Sequence, residues 1–369
     1  MPKQVMAVLG GGQLGRMLAL AGIPLDVAFR FLDPGDGAPA GAVGDLVVGA
    51  LGDAAALTEV ARGADVVTYE WEGVPADAAR FLARDLPVRP GARSLEVSQD
   101  RLSEKEAFRR LDIATPAFAA VDDRASLDAA VDAVGGLPAV LKTRRGGYDG
   151  KGQEVLRAPG DVARAWSVLG GQPLILESLV PFDRELSVLA VRGVDGEVAC
   201  WPLVENHHEG GILRVSRAPA PGLDDALQQR AETVATRLLS DLDHVGVLAV
   251  ELFDLGSELL ANEIAPRVHN SGHWTIEGAD TSQFENHVRA VLGWPLGSTA
   301  ACGPSVMVNC IGVMPSRDAV LAIAGAHLHD YGKAPRLGRK LGHVTVTADD
   351  DEELEVRLDA VRAVIDSGG

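Results

Sequence analysis

Three cysteines in 369 residues are too few and too scattered for a disulfide framework. Cys200, Cys302 and Cys310 also lack the paired spacing of a structural zinc site. Cys302 and Cys310, bordering an expected strand, read as small buried thiols. No apolar run approaches the roughly 20 residues needed to span a bilayer. Positive charge is also in short supply: 34 Lys and Arg face 52 Asp and Glu, a net charge of −18. That balance opposes nonspecific binding to nucleic acid or an anionic membrane. An anionic substrate must therefore be met by a local basic cluster. The first strand signal starts within a few residues of the N-terminus and leaves no room for a secretory signal. These shortages predict a soluble, cytoplasmic protein without nucleic-acid or membrane partners.

Aromatic residues make up only 4%, yet hydrophobic residues reach 47%, enough to bury sheets and helices and to exclude a disordered chain. The length predicts two or three domains. The first opens on Val8-Leu9-Gly10-Gly11-Gly12-Gln13-Leu14-Gly15-Arg16. Gly10, Gly12 and Gly15 satisfy G-x-G-x-x-G between an apolar run, Val5 to Leu9, and a helix-like stretch, Arg16 to Leu20. A second strand signal, Val27 to Leu32, ends at Asp33, where a dinucleotide site would place its ribose-binding acid. Alone, this segment describes an NAD-dependent oxidoreductase. The rest of the chain argues otherwise.

Strand and helix signals alternate through residues 1–98, as in a parallel, Rossmann-like α/β domain. From residue 99 to about 298 the pattern becomes α+β. It opens on Ser103-Glu104-Lys105-Glu106, read as a capping box for a helix ending near Leu111. Strands Ala139 to Thr143, Gln153 to Arg157 and Pro173 to Glu177 belong to a lid expected at about 115–178. Glu185 to Arg192 turns at Asp195-Gly196 and returns as Glu197 to Val204, and Val247 to Phe253 pairs with Glu258 to Glu263. A small α+β unit, 299–369, follows: a strand from Ser305, a helix, a strand His343 to Thr347 and a helix Asp351 to Ile365.

Several stretches carry chemistry. In Lys142-Thr143-Arg144-Arg145-Gly146-Gly147-Tyr148-Asp149-Gly150-Lys151-Gly152-Gln153 a strand lysine precedes four glycines. The lysine supplies point charge and the glycines let backbone N–H groups approach phosphate oxygens. An exposed hairpin is the alternative, but an unpaired ammonium in an apolar strand is costly. Glu177-Ser178-Leu179-Val180, at the end of a strand, can offer backbone groups to an adenine edge, with Glu185 near its ribose. Glu251 and Glu263 lie on neighbouring strands amid apolar residues, an arrangement that calls for a cation; Mg²⁺ or a pairing with Arg267 would satisfy it. A simple four-residue loop would face Glu251 with Leu260 and send Glu263 to the opposite face. A shared metal therefore requires an odd-length turn or a β-bulge. His207 and His208 are adjacent, so on a strand they face opposite ways and do not make a zinc pair.

Taken in order, the glycine turn, Tyr69-Glu70-Trp71-Glu72, Gln99-Asp100-Arg101 with Lys105, Lys142 to Gln153, His207 to Arg214, Asn262 to His273 and Gly338 to His343 resemble the N5-carboxyaminoimidazole ribonucleotide synthase family of the ATP-grasp superfamily. The resemblance implies an ATP-grasp fold and a ligase. ATP, bicarbonate and 5-aminoimidazole ribonucleotide would give ADP, phosphate and the N5-carboxylated nucleotide in purine biosynthesis, by a homodimer. It implies that Arg101, Lys142 and the loop Gly147, Tyr148, Asp149, Gly150, Lys151, Gly152 and Gln153 hold ATP phosphates. Glu177, Ser178, Leu179 and Val180 would hold adenine, and Glu185 and His208 the ribose. Glu251 and Glu263 would hold Mg²⁺ beside Asn262. Tyr148, Asp149, Arg267, His269 and Asn270 would line the meeting point of bicarbonate and amine, with Asp149 taking the amine proton. Gly12, Gln13, Leu14, Glu72, Lys333, Arg339 and Lys340 would bind the ribonucleotide, the glycine turn and the basic loop together clamping its phosphate. Trp71 stands where a smaller aliphatic residue is expected. Other readings are a different ATP-grasp ligase, such as a formate-dependent purine transformylase or a biotin-type carboxylase, or a nucleotide-binding regulator. The oxidoreductase reading leaves Lys142, Glu251 and Glu263 without a role.

Overall fold

A computed structural model of the chain describes residues 3–147 and 150–367. The N-terminal sheet is parallel, with strands in the order Asp45–Val48, Val27–Asp33, Gln4–Leu9 and Val66–Tyr69. Helices cover both its faces, which is why Met6, Ala7, Val8 and Leu9 are all fully buried and read as one apolar run. Leu86 to Val88 adds only a single bridge, Val67 to Val88. A second, antiparallel sheet of Phe118–Val121, Leu174–Ser178, Ala139–Thr143 and Gln153–Leu156 falls within the segment expected as the lid. Among the described residues no helix is long and apolar enough to cross a membrane.

The third sheet has nine antiparallel strands and carries the chemistry. Its main path runs Leu259–Ala265, Gly246–Asp254, Arg184–Arg192, Val204–Glu209, Ile212–Ala218, Ser305–Ile311, Lys340–Thr347 and Ala326–Asp330. The C-terminal unit is therefore not a separate sheet: Ser305–Ile311 pairs directly with Ile212–Ala218. Hydrogen bonding across that seam places Lys340, at the head of its strand, beside the central site. The strand Ala326–Asp330 was not expected.

Three local expectations need correction. The helix after Gln99 starts at Arg101, and its N-cap is Asp100, whose carboxylate accepts from the amides of Leu102 and Ser103. A carboxylate at that position satisfies the first-turn donors better than Ser103 further along. Glu197 to Val204 is not one strand. Val198–Cys200 pairs with one end of Arg184–Arg192, Trp201 is buried with its indole N–H donating to Thr281 O, and pairing resumes at Val204. Cys302 is exposed in the loop before its strand, whereas Cys310 is buried within it.

Two histidines lock the N-terminal domain to the central sheet at Val247. The Val247 N–H donates to His287 Nδ1 at 3.1 Å, so His287 carries its proton on Nε2 and gives it to Thr68 Oγ1 at 2.9 Å. His244 Nε2 donates to Val247 O at 3.0 Å while its Nδ1 accepts from Ser94 Oγ at 2.9 Å. Burial holds His244 at about 4 and His287 at about 3. Both are neutral when folded, so the unfolded chain takes up more protons in acid. Stability is present above the ordinary histidine value of about 6.5 and lost as pH falls through the folded values. The urea midpoint should decline steadily below about pH 6.5, and His287→Asn should flatten that decline. An unchanged slope would place the acid sensitivity elsewhere.

Candidate functional site

The glycine turn is shaped around a carboxylate of the protein itself. Glu70, at the end of Val66–Tyr69, accepts from Gly12 N at 2.9 Å and from Gly15 N at 3.2 Å, and Asp33 accepts from Gly11 N at 2.9 Å. A Cβ at Gly10 or Gly12 would come within 2.7 and 2.8 Å of the Glu70 carboxylate, and Gly10 also has φ +101°. The Gly12 amide, one of the groups expected to face the phosphate, is here bonded to Glu70. Beside it, Lys333 donates to Gln13 Oε1, and Arg16 donates to Asp330 O at 3.3 Å. These contacts bring the C-terminal basic loop onto the turn. Arg339 instead folds onto its own loop, donating to Ala334 O at 3.2 Å. Lys340 lies deeper, where its charge acts on Glu251, His208 and His269.

Next to the turn, Arg267 pairs with Glu72. Gln99 Nε2 holds the Glu72 loop by donating to Glu72 O at 2.7 Å and Val74 O at 2.6 Å. Since Arg267 serves Glu72, it does not neutralise Glu251 and Glu263. Trp71 is half exposed and its ring lies over Gly73, where a Cβ would come within 2.4 Å of it. The larger side chain is thus accommodated by a neighbour without one.

Glu251 and Glu263 face each other directly across the hairpin of Gly246–Asp254 and Leu259–Ala265. The register is Phe253 to Leu260 and Leu252 to Ala261, then a bulge, then Glu251 to Glu263, with Asn262 as the extra residue. Directly opposed residues share a face, so the bulge delivers both carboxylates to one place. Burial and the neighbouring Glu263 push Glu251 up to about 8. His269 Nε2 lies 3.3 Å from Glu251 while its Nδ1 meets Ser271 Oγ at 2.8 Å. Burial keeps His269 far below its ordinary value, so it stays neutral beside Glu251. No group of three or more His, Cys, Asp or Glu side chains able to hold a metal gathers among the described residues. Two carboxylates sharing an ion with nucleotide phosphates is the arrangement Mg²⁺ favours. The donors present fit that ion.

Behind this pair runs a buried charge network. Glu177 bonds to Lys142 at 3.1 Å and Lys105 at 3.2 Å. Burial would raise its carboxyl, but the two ammonium groups hold it at about 2. Lys142 therefore has the partner its apolar strand demanded. Lys105, 1% exposed, also donates to Asn262 O at 2.7 Å, tying this network to the bulge. Glu104 accepts from Ile264 N at 2.7 Å. Among the described residues Glu177 Oε1 is buried with no hydrogen-bond partner. The amides of Ser178 and Leu179 are taken by Ala117 O at 2.8 Å and Pro138 O at 3.2 Å. Of the adenine-reading groups expected there, those two N–H donors are already engaged within the protein, which leaves carbonyls and Val180.

Glu185 is hydrogen-bonded to His208. Burial alone would lower His208, but Glu185 and the charge of Glu251 hold it above its ordinary value. His207 is exposed, so the adjacent histidines do face apart. The glycine loop is anchored at its root. Arg101 donates to Thr143 O at 3.1 Å and Gly147 O at 3.3 Å and stands 4.0 Å from Glu263. Asp100 accepts from Arg144 at 2.9 and 2.8 Å and from Arg145 at 3.2 Å. Gly152 O accepts from Thr143 N at 2.8 Å, and Gly150 lies against Gly210 and Gly211. Lys151 and Gln153 lie on the same return of the loop. Tyr148 and Asp149 lie outside the described residues.

Sequence reasoning missed Glu70, Asp100 and Asn309 as site-building residues. Asn309 exchanges hydrogen bonds with Asn270 at 2.9 and 3.2 Å and donates to Leu213 O at 2.9 Å. Nothing in its apolar strand announced that role. Asp100 could have been found, since an Asp just before a helix-like run is a cap signal.

Three family models match the chain in succession: the ribonucleotide synthetase preATP-grasp domain over residues 3–99, the ATP-grasp domain over 106–284 and the phosphoribosylaminoimidazole carboxylase C-terminal domain over 305–357. The N5-carboxyaminoimidazole ribonucleotide synthase of Pseudomonas aeruginosa is 53% identical over 98% of this chain and 99% of its own. The crystal structure of the N5-carboxyaminoimidazole ribonucleotide synthetase from Thermus thermophilus is 58% identical, with a TM-score of 0.94 over 97% of this chain and 98% of its own. The Aspergillus clavatus N5-carboxyaminoimidazole synthase, solved with ADP and 5-aminoimidazole ribonucleotide, is 33% identical and superposes with a TM-score of 0.92 over 99% of both chains.

Proposed function

Because the chain belongs to the N5-carboxyaminoimidazole ribonucleotide synthase family, it is an ATP-dependent ligase that carboxylates 5-aminoimidazole ribonucleotide in purine biosynthesis, and we propose how its residues divide that work. The observation that carries the assignment is the bulge that sets Glu251 opposite Glu263, within the same site as Lys142 and Lys105. Those two carboxylates would hold Mg²⁺, which when bound neutralises them and the nucleotide phosphates together. Lys142 and the glycine loop stabilise charge on the transferring phosphoryl group as bicarbonate attacks it. Glu177 Oε1 accepts from the adenine edge, and Glu185 with His208 holds the ribose. Arg267, His269 and Asn270 line the meeting point of the activated carboxyl group and the amine. Arg267 fixes Glu72 toward the substrate ribose, Asn309 fixes Asn270, and Asp149 takes the amine proton. The loop excludes water from the acyl phosphate, whose hydrolysis would waste the turnover. We place the enzyme in the cytoplasm and, on the family resemblance, as a homodimer.

Initial rates with each of bicarbonate and 5-aminoimidazole ribonucleotide omitted in turn test the reaction. Full ADP release without either would refute it. The basic loop offers a second test. Removing one charged phosphate contact costs about 1.5–3 kcal/mol, roughly ten- to a hundredfold in binding. Lys333→Ala should raise the KM for the ribonucleotide by that factor and leave the KM for ATP within about threefold. Lys340→Ala, nearer Glu251, should raise both. A rise confined to ATP in Lys333→Ala would reverse the two ends of the site.

A further inference from the structure

The G-x-G-x-x-G turn raises a question the reaction does not answer: why a motif shaped for a dinucleotide serves a single phosphate. In a dinucleotide site the second glycine lets the backbone approach a pyrophosphate, which rests on amides at the helix N-terminus. Here the same backbone approaches Glu70. Its two oxygens take the Gly12 and Gly15 amides at 2.9 and 3.2 Å, and the side chain is 7% exposed. Any Cβ at Gly10 or Gly12 would collide with it, so these glycines make room for an internal anion. Asp33 meanwhile spends its carboxylate on the Gly11 and Gly35 amides at 2.9 and 2.8 Å.

We propose that Glu70 is a specificity-determining residue: it occupies the pyrophosphate half of the turn and so restricts the N-terminal domain to phosphomonoesters. The inference rests on the reading that this turn faces the ribonucleotide's phosphate. With Gly12 and Gly15 committed, the first-turn amides of Gln13 and Leu14 remain for one phosphoryl group. An adjoining second phosphate would meet the Glu70 carboxylate. The same arrangement explains the basic loop. The turn has spent part of its positive potential on Glu70, so Lys333, placed at Gln13, must restore it. Burial raises the Glu70 carboxyl above its ordinary value, and the Gly12 and Gly15 amides and the charge of Arg267 oppose that rise.

Displacement of 5-aminoimidazole ribonucleotide by orthophosphate and by pyrophosphate, measured calorimetrically in magnesium-free buffer, separates the outcomes. In the wild type, pyrophosphate should compete within about threefold of orthophosphate despite its greater charge. In Glu70→Gln the side-chain amide can no longer accept from Gly15. The ratio of pyrophosphate to orthophosphate affinity should then rise at least fivefold, and weak displacement by NADH should emerge. Pyrophosphate binding tenfold tighter than orthophosphate in the wild type would overturn the inference, as would an unchanged ratio in folded Glu70→Gln. The wild-type arm stands even if the variant fails to fold. If neither anion displaced the ribonucleotide, the phosphate assignment itself would fail, and this inference with it.

Discussion

Glu251→Gln is expected to lower kcat/KM at least a hundredfold while leaving the metal-free protein as stable as the wild type, or more so. The two effects share one cause. Glu251 and Glu263 are placed face to face by the bulge, and His269, 3.3 Å from Glu251, is neutral. In the reaction that arrangement is an asset, since a cation bridging them anchors the nucleotide phosphates; losing one electrostatic stabiliser of this kind costs about 2.7 kcal/mol or more. Without the ion it is a liability. Burial and Glu263 raise Glu251 to about 8, above its unfolded value, so the folded protein binds the extra proton. The stabilisation from that proton is present below about pH 4.5 and is lost as pH rises through about 8. Metal-free wild type should therefore melt at a lower temperature at pH 9 than at pH 6, added Mg²⁺ should recover most of the difference, and Glu251→Gln should flatten the profile. Retained activity in Glu251→Gln, or a melting temperature indifferent to pH and Mg²⁺ in the wild type, would remove these carboxylates from the metal site.

Lys105→Ala should produce the largest loss of stability. The ammonium is almost fully buried between Glu177, at 3.2 Å, and Asn262 O, at 2.7 Å. Removing one member of a buried ion pair leaves an uncompensated charge and costs about 3–5 kcal/mol. Lys142, at 3.1 Å from the same carboxylate, softens that loss without cancelling it. A double-mutant cycle isolates the interaction: Glu177→Ala should cost markedly less in the Lys105→Ala background than in the wild type. Because Lys105 also holds the bulge residue through its carbonyl, ATP binding should weaken in the same variant. Additive effects of the two substitutions on the urea midpoint would show that the pair is not coupled. Lys105 would then be a packing residue only.

Much of the architecture was legible in the chain because local rules and global fold agree. The alternation through the first 98 residues, the hairpin around Asp254 to Ser257 and the lid strands follow from hydrophobic period and turn chemistry. The need for a bulge between Glu251 and Glu263 followed from strand alternation alone, once a shared ion was required. The basic loop and the glycine loop were visible as composition.

Local patterning thus settled which segments are strands and helices and which residue types are too costly to leave alone. A lysine in an apolar strand and two carboxylates amid valines must find partners, because burying an unpaired charge is prohibitive. The choice of those partners belongs to the packed sheets. Lys142 and Lys105 come from different elements to meet on Glu177; Arg267 serves Glu72 and not Glu251; Lys333, not Arg339, reaches the glycine turn. Glu70 and Gly12 lie 58 residues apart, and their contact depends on adjacent parallel strands ending at one level. Pairing of this kind carries no local signature, since loop closure brings distant residues together through the packing of whole sheets. The glycines announced that something sits close to the backbone; only the fold showed that it is a side chain of the protein.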